Sequence, residues 1–240
     1  MSVYRGDCPC SATNFTANRY RLIYLFPGLG ASEKLFRAYD FSPYEGKVIS
    51  FLVPEKNETL EHYCKRMAAA IDESKERIYI GVSFGGIVAQ EIARFLPPNK
   101  IIIVSSIKHR REKPRYFSWL RRIPVHRILP AGLIKDFGVM VSGLVAKKSP
   151  SEKKLFRELV RDADTRIIKW GIDQVIRWDQ NISPNGLVHI HGDRDIVFPI
   201  RRIKPDFIIH GGKHFMIMRE VKEIQSLLLK QIHAVSQTNQ

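Results

Sequence analysis

The feature that most constrains this chain is a Gly-x-Ser-x-Gly sequence, Gly81 to Gly85, at the junction of two apolar segments. The preceding run, Arg77 to Gly81, is β-branched and aromatic, and the following segment has apolar residues at helical spacing. A serine in a sharp strand-to-helix turn needs small residues two positions to either side, because a Cβ there would collide with the backbone. The pattern therefore predicts that Ser83 is exposed beside the free amide groups of a helix. An ordinary glycine-rich turn of an α/β protein remains an alternative on this motif alone.

Segments that predict strands alternate with segments that predict helices along most of the chain. This alternation implies an α/β fold with a mostly parallel central sheet and helices on both faces. The run Ile101 to Val104 is apolar without alternation, as expected of a strand buried on both sides. We expect strands over Arg21 to Phe26, Val48 to Val53, Arg77 to Ser83 and Lys100 to Ser106, and two further strands that begin at Leu187 and Phe207. We expect helices over Leu60 to Ser74, after Ser83, and from Val221 to Ile232.

Candidate partners for the serine follow two later strands. One predicted strand ends in an acidic loop with Asp193 and Asp195, and the next ends in Gly-Gly-Lys followed by His214. A serine hydroxyl needs an adjacent base near neutral pH, and an imidazole base needs a carboxylate to fix its tautomer and stabilise its charged form. Ser83, His214 and one of the two aspartates are therefore candidates for a catalytic triad.

With these motifs in this order, the chain resembles the α/β-hydrolase family from about residue 20 to its C-terminus. Four landmarks match: the turn around Ser83, Pro27-Gly28-Leu29-Gly30 after the first strand, Gly192-Asp193-Arg194-Asp195 before Pro199, and Gly211-Gly212-Lys213-His214 before the last helix. The resemblance implies that Asp195 is the acid, and we expect Asp193 to cap the loop. Some members place the acid after the strand that ends near Ser105-Ser106, where this chain has none, which also favours Asp195.

The resemblance further implies an oxyanion hole formed by the backbone amides of Leu29 and Phe84. In the family the loop after the first central strand often reads His-Gly, whereas this sequence has Pro27 in place of the histidine. The donor belongs to the main chain, so Leu29 is still expected to supply it, with a loop conformation that departs from the family pattern. The glycines expected to permit these tight turns are Gly28, Gly81 and Gly85.

The sequence His189-x-His191-x-Asp193 is superficially similar to the start of a metal site. Alternate strand residues share one face, and imidazole is a good zinc ligand. However, Arg194 stands where a further histidine would be needed, and its charge disfavours a cation. We expect no metal and no cofactor, with both histidines packed or solvated, and we expect His210 to lie on the sheet.

Residues 108–186 differ in composition from the rest of the chain. They lack strong strand signals, are punctuated by prolines, and carry helical patterns over Lys153 to Val160 and Arg166 to Trp178. The resemblance implies a helical cap here, inserted into a core of residues 19–107 and 187–240, with 1–18 as a tail or an outer strand. A cap forms much of the substrate pocket. Candidate pocket residues are Trp119, Phe137, Val139, Met140, Leu144, Trp170 and Trp178, although any one of them could equally pack inside the cap.

Basic residues are concentrated in the same segment. Residues 108–186 hold 18 Lys and Arg against 8 Asp and Glu, a balance of +10 in a chain whose net charge is +15. Such a field attracts anionic substrates or acidic partners, and an acyl group on an acidic carrier protein or on coenzyme A fits it. A solvated basic surface is the alternative. Nucleic acid is not expected, because no reader motif accompanies the charges. The basic cluster at the start of the segment consists of Lys108, Arg110, Arg111, Lys113, Arg115, Arg121 and Arg122.

Cysteine content and hydropathy bear on the compartment. The 240-residue chain has three cysteines, too few for a disulfide framework, and Cys64 falls at the apolar spacing of a helix face. The sequence shows no export signal and no uninterrupted apolar run of about 18 residues. We therefore expect a cytoplasmic protein without a membrane span.

Together these features predict a cytoplasmic serine hydrolase that cleaves an ester or thioester through an acyl-enzyme on Ser83. A carboxylesterase, an acyl-carrier or coenzyme A thioesterase and a methyl ester esterase remain open. A serine nucleophile argues against the epoxide hydrolase and haloalkane dehalogenase branches of the family, which use aspartate at this position. A ligand-binding protein of the same fold that lacks turnover is the alternative from another functional class.

Overall fold

A computed structural model describes residues 21–122 and 163–238. Six strands form one sheet in which every pairing is parallel, and helices flank it. The predicted α/β architecture is therefore confirmed. The strands are β1 (Arg21–Phe26), β2 (Glu45–Val48), β3 (Glu76–Val82), β4 (Lys100–Val104), β5 (Leu187–Gly192) and β6 (Phe207–Ile209), and the helices are α1 (Leu60–Ala68), α2 (Phe84–Ala93), α3 (Arg115–Arg122), α4 (Thr165–Arg177) and α5 (Val221–Thr238).

The strand order determines where a ligand can bind. The sheet has the order β2-β1-β3-β4-β5-β6, so the chain leaves β1 for one edge and then returns to extend the sheet toward the other edge from β3. In open α/β sheets, the crevice at the carboxyl ends of the strands opens where the winding direction reverses. Here that point lies between β1 and β3, whose following segments contain Gly28 and Ser83.

Both faces of the sheet are buried, which explains why the central strands are apolar without alternation. Leu22, Tyr24 and Phe26 of β1 pack on the side covered by α1, α2 and part of α4. The intervening Ile23 and Leu25 pack on the opposite side, which α5 covers through Ile224, Leu228 and Ile232. Every residue of β1 is buried, including Arg21, which pairs with Glu76.

Two elements differ from their predicted bounds. The strand expected over 48–53 is instead Glu45–Val48, because the following apolar residues leave the sheet and Phe51 packs against Phe84 at 5.5 Å between ring centroids. The helix expected over 60–74 ends at Ala68, and Ile71 beyond it is still buried. Apolar spacing indicates which residues pack against the core. Phe51 and Ile71 do so from segments outside the strand and the helix.

The described part of the segment between β4 and β5 contains α3 and α4. Helix α4 is held to the core at several points: Trp170 Nε1 donates to the Glu58 carbonyl at 3.1 Å, and Trp178 Nε1 donates to Glu91 Oε1 of α2 at 2.7 Å. Lys113 Nζ donates to the carbonyls of Ile176 and Trp178 at 2.8 and 2.5 Å, at the C-terminal end of α4. The predicted helix over 153–160 and the segment 1–18 lie outside the described residues.

Within 21–122 and 163–238, no helix has both the length and the apolarity to cross a membrane. Cys64, whose thiol is buried, forms no disulfide bond. Cys8 and Cys10 lie outside the described part of the chain.

Candidate active site

Ser83 occupies a strained turn between β3 and α2. Its φ of 52° and ψ of −120° lie in a region that non-glycine residues rarely adopt, at a typical cost of about 1–3 kcal/mol. Three hydrogen bonds hold the turn: Ser83 N donates to the Val104 carbonyl at 2.9 Å, and the Ser83 carbonyl accepts from Ser106 Oγ at 2.7 Å and Gly86 N at 2.9 Å. The half-buried side chain stands at the carboxyl edge of the sheet.

The flanking glycines make this turn sterically possible. A Cβ at Gly81 would lie 2.5 Å from the Gly85 carbonyl oxygen, and a Cβ at Gly85 would lie 2.3 Å from the carbonyl oxygens of Phe26 and Pro27. Backbone atoms cannot rotate away as side chains can, so any larger residue would displace the turn. The collision foreseen from the sequence motif is thus present at both positions.

A continuous hydrogen-bond chain links Ser83 to two side chains on distant loops. Ser83 Oγ lies 3.0 Å from His214 Nε2, and His214 Nδ1 lies 2.8 Å from Asp195 Oδ2. The residues are 131 and 19 positions apart in sequence, and both His214 and Asp195 are buried. The loops that follow β5 and β6 meet because Gly192 and Gly212 touch: a Cβ at Gly192 would lie 2.2 Å from the Gly212 carbonyl oxygen.

Asp195 is held in one orientation by its own loop. Its Oδ1 accepts the amides of Val197 and Phe198 at 2.8 and 2.9 Å, which leaves Oδ2 for His214. Burial acts to raise the pKa of Asp195, but the charge and hydrogen bond of His214, the nearby His191 and the Phe198 amide outweigh it, so the pKa is lowered. The carboxylate is therefore ionised at neutral pH and can stabilise a charged imidazole.

Asp193 points away from this chain of contacts. Its Oδ1 accepts the Gly211 amide at 2.7 Å, and its Oδ2 lies 3.1 Å from Nδ1 of His210. Asp193 therefore caps its loop, as expected from the sequence. The expectation that His210 lies on the sheet is wrong, because β6 ends at Ile209 and the His210 side chain is 87% exposed.

The two backbone amides predicted to form an oxyanion hole belong to segments next to Ser83. The Phe84 amide is the first of α2, so it has no acceptor within the helix. The loop after β1 lies beside Ser83, since a Cβ at Gly28 would be 3.6 Å from the Ser83 Cβ. Among the described residues, the Leu29 amide donates to no acceptor. Helix α4 covers the Leu29 side chain closely, because a Cβ at Gly171 would lie 2.5 Å from Leu29 Cδ1.

The candidate pocket residues have different environments. Trp170 lies beside the site, with its ring centroid 4.3 Å from that of Tyr63 and 6.2 Å from that of Phe84. Trp178 is buried and donates to Glu91, and Trp119 is 55% exposed on α3. Phe137, Val139, Met140 and Leu144 lie outside the described residues.

His189 and His191 are fully buried on one face of β5. His189 Nε2 lies 3.2 Å from His191 Nδ1, and His191 Nε2 lies 2.8 Å from the Phe198 carbonyl and 3.6 Å from Asp195 Oδ2. The sequence pattern indicated their shared face but not that this face adjoins Asp195. Their rings contact each other and the loop of Asp195.

Another cluster has metal-binding residue types. In the described ranges, Glu55, Glu58 and His62 bring three such side chains together. Arg66 already binds there, with Nη1 2.8 Å from Glu58 Oε2 and Nε 3.3 Å from Glu55 Oε1. The guanidinium supplies the positive charge that these carboxylates need, so the cluster is an ion-pair network.

The predicted basic cluster is partly built into the fold. Arg110 pairs with Asp179 at 3.1 Å, and Lys113 donates to the end of α4. Burial lowers the pKa of Lys113 to about 8. Arg115, Arg121 and Arg122 are exposed on α3.

Comparisons with known proteins identify the fold. No protein-family model and no curated protein matches the sequence. A thermophilic esterase from Thermogutta terrifontis is similar in structure, with a TM-score of 0.67, 16% identity and coverage of 91% of this chain and 91% of that one. A hydrolase from Pseudomonas aeruginosa PA01 has a TM-score of 0.67 at 15% identity, covering 88% of this chain and 89% of that one.

The RedJ thioesterase of the prodiginine biosynthetic pathway in Streptomyces coelicolor has a TM-score of 0.61 at 15% identity, covering 90% of this chain and 87% of that one. The matched region thus extends over nearly the whole chain in each comparison. At these identities the likeness establishes the fold, which is the α/β-hydrolase fold.

Proposed function

We propose that this chain is a serine hydrolase that cleaves an ester or thioester bond through an acyl-enzyme on Ser83. The observation that carries the proposal is the hydrogen-bond chain from Ser83 Oγ through His214 to Asp195, with distances of 3.0 and 2.8 Å. These are the contacts that activate a serine hydroxyl near neutral pH. The three groups belong to separate segments that follow β3, β5 and β6.

In the acylation step, Ser83 Oγ attacks the substrate carbonyl while His214 Nε2 takes the hydroxyl proton. Asp195 holds the imidazole through Nδ1 and stabilises its positive charge. When the tetrahedral intermediate collapses, the bond to the leaving group breaks and His214 donates its proton to the departing alcohol or thiol. A water molecule then attacks the acyl-enzyme with His214 as base, which releases the acid and restores Ser83.

The amides of Leu29 and Phe84 would stabilise the oxyanion that forms during both steps. The loss of one such donor typically costs about a hundred- to a thousand-fold in kcat. Both donors are main-chain groups, so their placement depends on the loop after β1 and on the first turn of α2. The ring of Trp170, packed against Phe84 at 6.2 Å, would form one apolar wall for the acyl or alcohol group.

The Ser83→Ala variant tests the proposal directly. We expect loss of hydrolysis of p-nitrophenyl esters and of labelling by a fluorophosphonate, with the circular dichroism spectrum unchanged. Ser74→Ala, at an exposed turn serine, is the matched control and should keep the parent rate. A folded Ser83→Ala protein that hydrolyses the esters at the parent rate would refute the assignment. A parent protein that binds esters without turnover would indicate the ligand-binding alternative.

Thioesters of an acidic carrier protein or of coenzyme A are a second candidate substrate class. The exposed arginines of α3, together with the +10 balance of residues 108–186, would attract such anions. In this proposal the segment 108–186 acts as a cap over the site. We expect faster turnover of these thioesters than of neutral esters, with a preference that weakens as salt increases. Equal rates at every ionic strength would exclude this substrate preference.

Cytoplasmic localisation belongs to the same proposal. The unpaired thiol of Cys64, buried under α2, is compatible with a reducing compartment. Fractionation of cells that produce the chain, followed by detection with an antibody, is the measurement that checks this localisation.

A further inference from the structure

Two buried histidines lie directly behind the acid of the candidate triad. His189 and His191 project from the same face of β5, and both have 0% exposed surface. They form a line of contacts toward Asp195, with 3.2 Å between His189 Nε2 and His191 Nδ1 and 3.6 Å between His191 Nε2 and Asp195 Oδ2. The mechanism described above does not use either imidazole. Polar groups so deeply buried need a compensating role or compensating partners.

The hydrogen-bond partners fix the tautomers of the pair. The Phe198 carbonyl, 2.8 Å from His191 Nε2, can only accept, so that nitrogen carries the proton. In neutral His191 the other nitrogen, Nδ1, is then an acceptor, and His189 Nε2 donates to it. His189 thereby holds His191 in the one orientation in which its Nε2 proton faces the loop of Asp195.

Both main-chain polar groups of Phe198 hold the loop that carries Asp195 in place. The Phe198 amide donates to Asp195 Oδ1 at 2.9 Å, while the Phe198 carbonyl accepts from His191 at 2.8 Å. The Val197 amide adds a further bond to the same carboxylate oxygen at 2.8 Å. His191 therefore anchors the segment that orients the carboxylate, and the carboxylate in turn orients His214.

We propose that His191, oriented by His189, is a positioning residue that fixes Asp195 against His214 by anchoring the Phe198 carbonyl. This inference rests on the proposed function, because it assigns His191 a part in the same hydrolytic site. His191 makes no contact with the reacting atoms and acts only through Asp195. Loss of His191 should therefore weaken the stabilisation of the His214 imidazolium by Asp195. Loss of a hydrogen bond with a purely structural role would leave that stabilisation unaltered.

Burial keeps both imidazoles of the pair neutral. Burial lowers the pKa of His191, and Asp195 and the Phe198 carbonyl oppose that effect while His214 adds to it. Burial also lowers the pKa of His189 well below its ordinary value, with His191 and Lys108 adding to the effect and a hydrogen bond with the Ser106 backbone opposing it. With both imidazoles neutral, His191 acts on Asp195 only through its hydrogen bond to the Phe198 carbonyl, and this is the form that the positioning role requires.

The test compares three single variants in the full chain. His191→Phe keeps a ring of similar size but removes the donor to the Phe198 carbonyl, and His191→Gln restores a donor at the reach of Nε2. Tyr79→Phe is the matched control, because it removes a buried hydroxyl that donates to the Leu96 carbonyl at 3.0 Å, away from Asp195. Each variant is assayed for kcat, KM, the pH profile of kcat/KM and thermal unfolding.

We expect His191→Phe to lower kcat roughly ten- to a hundred-fold with KM unchanged, the scale of a small misplacement of a catalytic group. The acid limb of kcat/KM should move to lower pH, because a loosened Asp195 stabilises the His214 imidazolium less. His191→Gln should restore both quantities, and Tyr79→Phe should alter neither of them while it lowers the melting temperature. An unchanged kcat in His191→Phe, or a lower kcat with an unmoved acid limb, would overturn the proposal.

A spectroscopic readout separates this inference from the proposed function. The proton between His214 Nδ1 and Asp195 Oδ2 gives a proton NMR signal far downfield of the amide region, whether or not the protein turns over esters. We expect this signal to shift or broaden in His191→Phe and to return in His191→Gln; a signal identical to the parent's overturns the inference. If His191→Phe does not fold, His189→Phe, which removes the donor to His191 Nδ1, should shift or broaden the parent's signal, and an unchanged signal there overturns the inference.

Discussion

In the Asp195→Asn variant, the contacts of the two carboxylate oxygens determine how the new amide group is oriented. Oδ1 accepts two backbone amides, from Val197 and Phe198, at 2.8 and 2.9 Å, whereas Oδ2 accepts from His214 Nδ1 at 2.8 Å. An asparagine oxygen must take the Oδ1 position, because an NH2 group there would face two N–H donors. The amide nitrogen is then directed at His214 Nδ1.

This arrangement reverses the tautomer of the imidazole. His214 Nδ1 becomes an acceptor, so the ring proton moves to Nε2, the atom 3.0 Å from Ser83 Oγ. The base then presents a donor to the hydroxyl whose proton it should remove. A wrong tautomer of this kind lowers kcat about 10⁴-fold in serine hydrolases, which corresponds to about 5.4 kcal/mol in the activation barrier.

The assay is steady-state hydrolysis of a p-nitrophenyl ester at neutral pH, together with thermal unfolding followed by circular dichroism. The melting temperature should stay near that of the parent, because the bonds from Val197 and Phe198 persist. Asp193→Asn, two residues earlier in the same loop, is the control and should keep the parent kcat, because Asp193 only caps the loop. An Asp195→Asn protein that retains more than about one tenth of the parent kcat would refute the tautomer argument, since the missing barrier would be under 1.4 kcal/mol.

Two further substitutions test the turn at Ser83 and the burial of Lys113. Gly85→Ala places a Cβ 2.3 Å from two backbone carbonyl oxygens and should destabilise the fold by about 3 kcal/mol or more. Gly46→Ala is the control and should be tolerated, because the nearest atom to its Cβ is 3.4 Å away. Equal midpoints of urea unfolding for the two variants would contradict the predicted collision at Gly85. Burial lowers the pKa of Lys113 from 10.5 to about 8, so the unfolded chain binds more protons across that interval and the free energy of unfolding rises with pH there. Lys113→Met should remove this rise in urea titrations at pH 8 to 10.5, and an identical pH dependence in both proteins would show that Lys113 does not cause it.

Local signals were sufficient for the elements that surround Ser83. The strand before it, the helix after it and the small flanking residues depend on contacts within a few positions, so the sequence motif specifies them. The bounds of β1, Arg21–Phe26, were also predicted correctly, because a central strand is apolar throughout and its run begins and ends with the sheet.

Features that depend on distant neighbours could not be predicted in the same way. The run after Val48 has the composition of a strand, yet Phe51 packs beside Phe84 rather than in the sheet. The hydrogen bond from the Trp178 indole to Glu91 joins residues 87 positions apart, so no local pattern predicts it. The relation of His191 to Asp195 likewise depends on how one loop folds back over β5.

Because His214 follows the edge strand β6, activity should depend on the pairing of β6 with the rest of the sheet. The His214 loop follows β6, a three-residue strand at one end of the described sheet, and the contact with Ser83 spans 131 positions. Short edge strands open locally at a lower free energy than the whole domain. Mild denaturant should therefore abolish turnover at concentrations below those at which circular dichroism detects unfolding. After dilution of the denaturant, turnover should return only when β6 has rejoined the sheet.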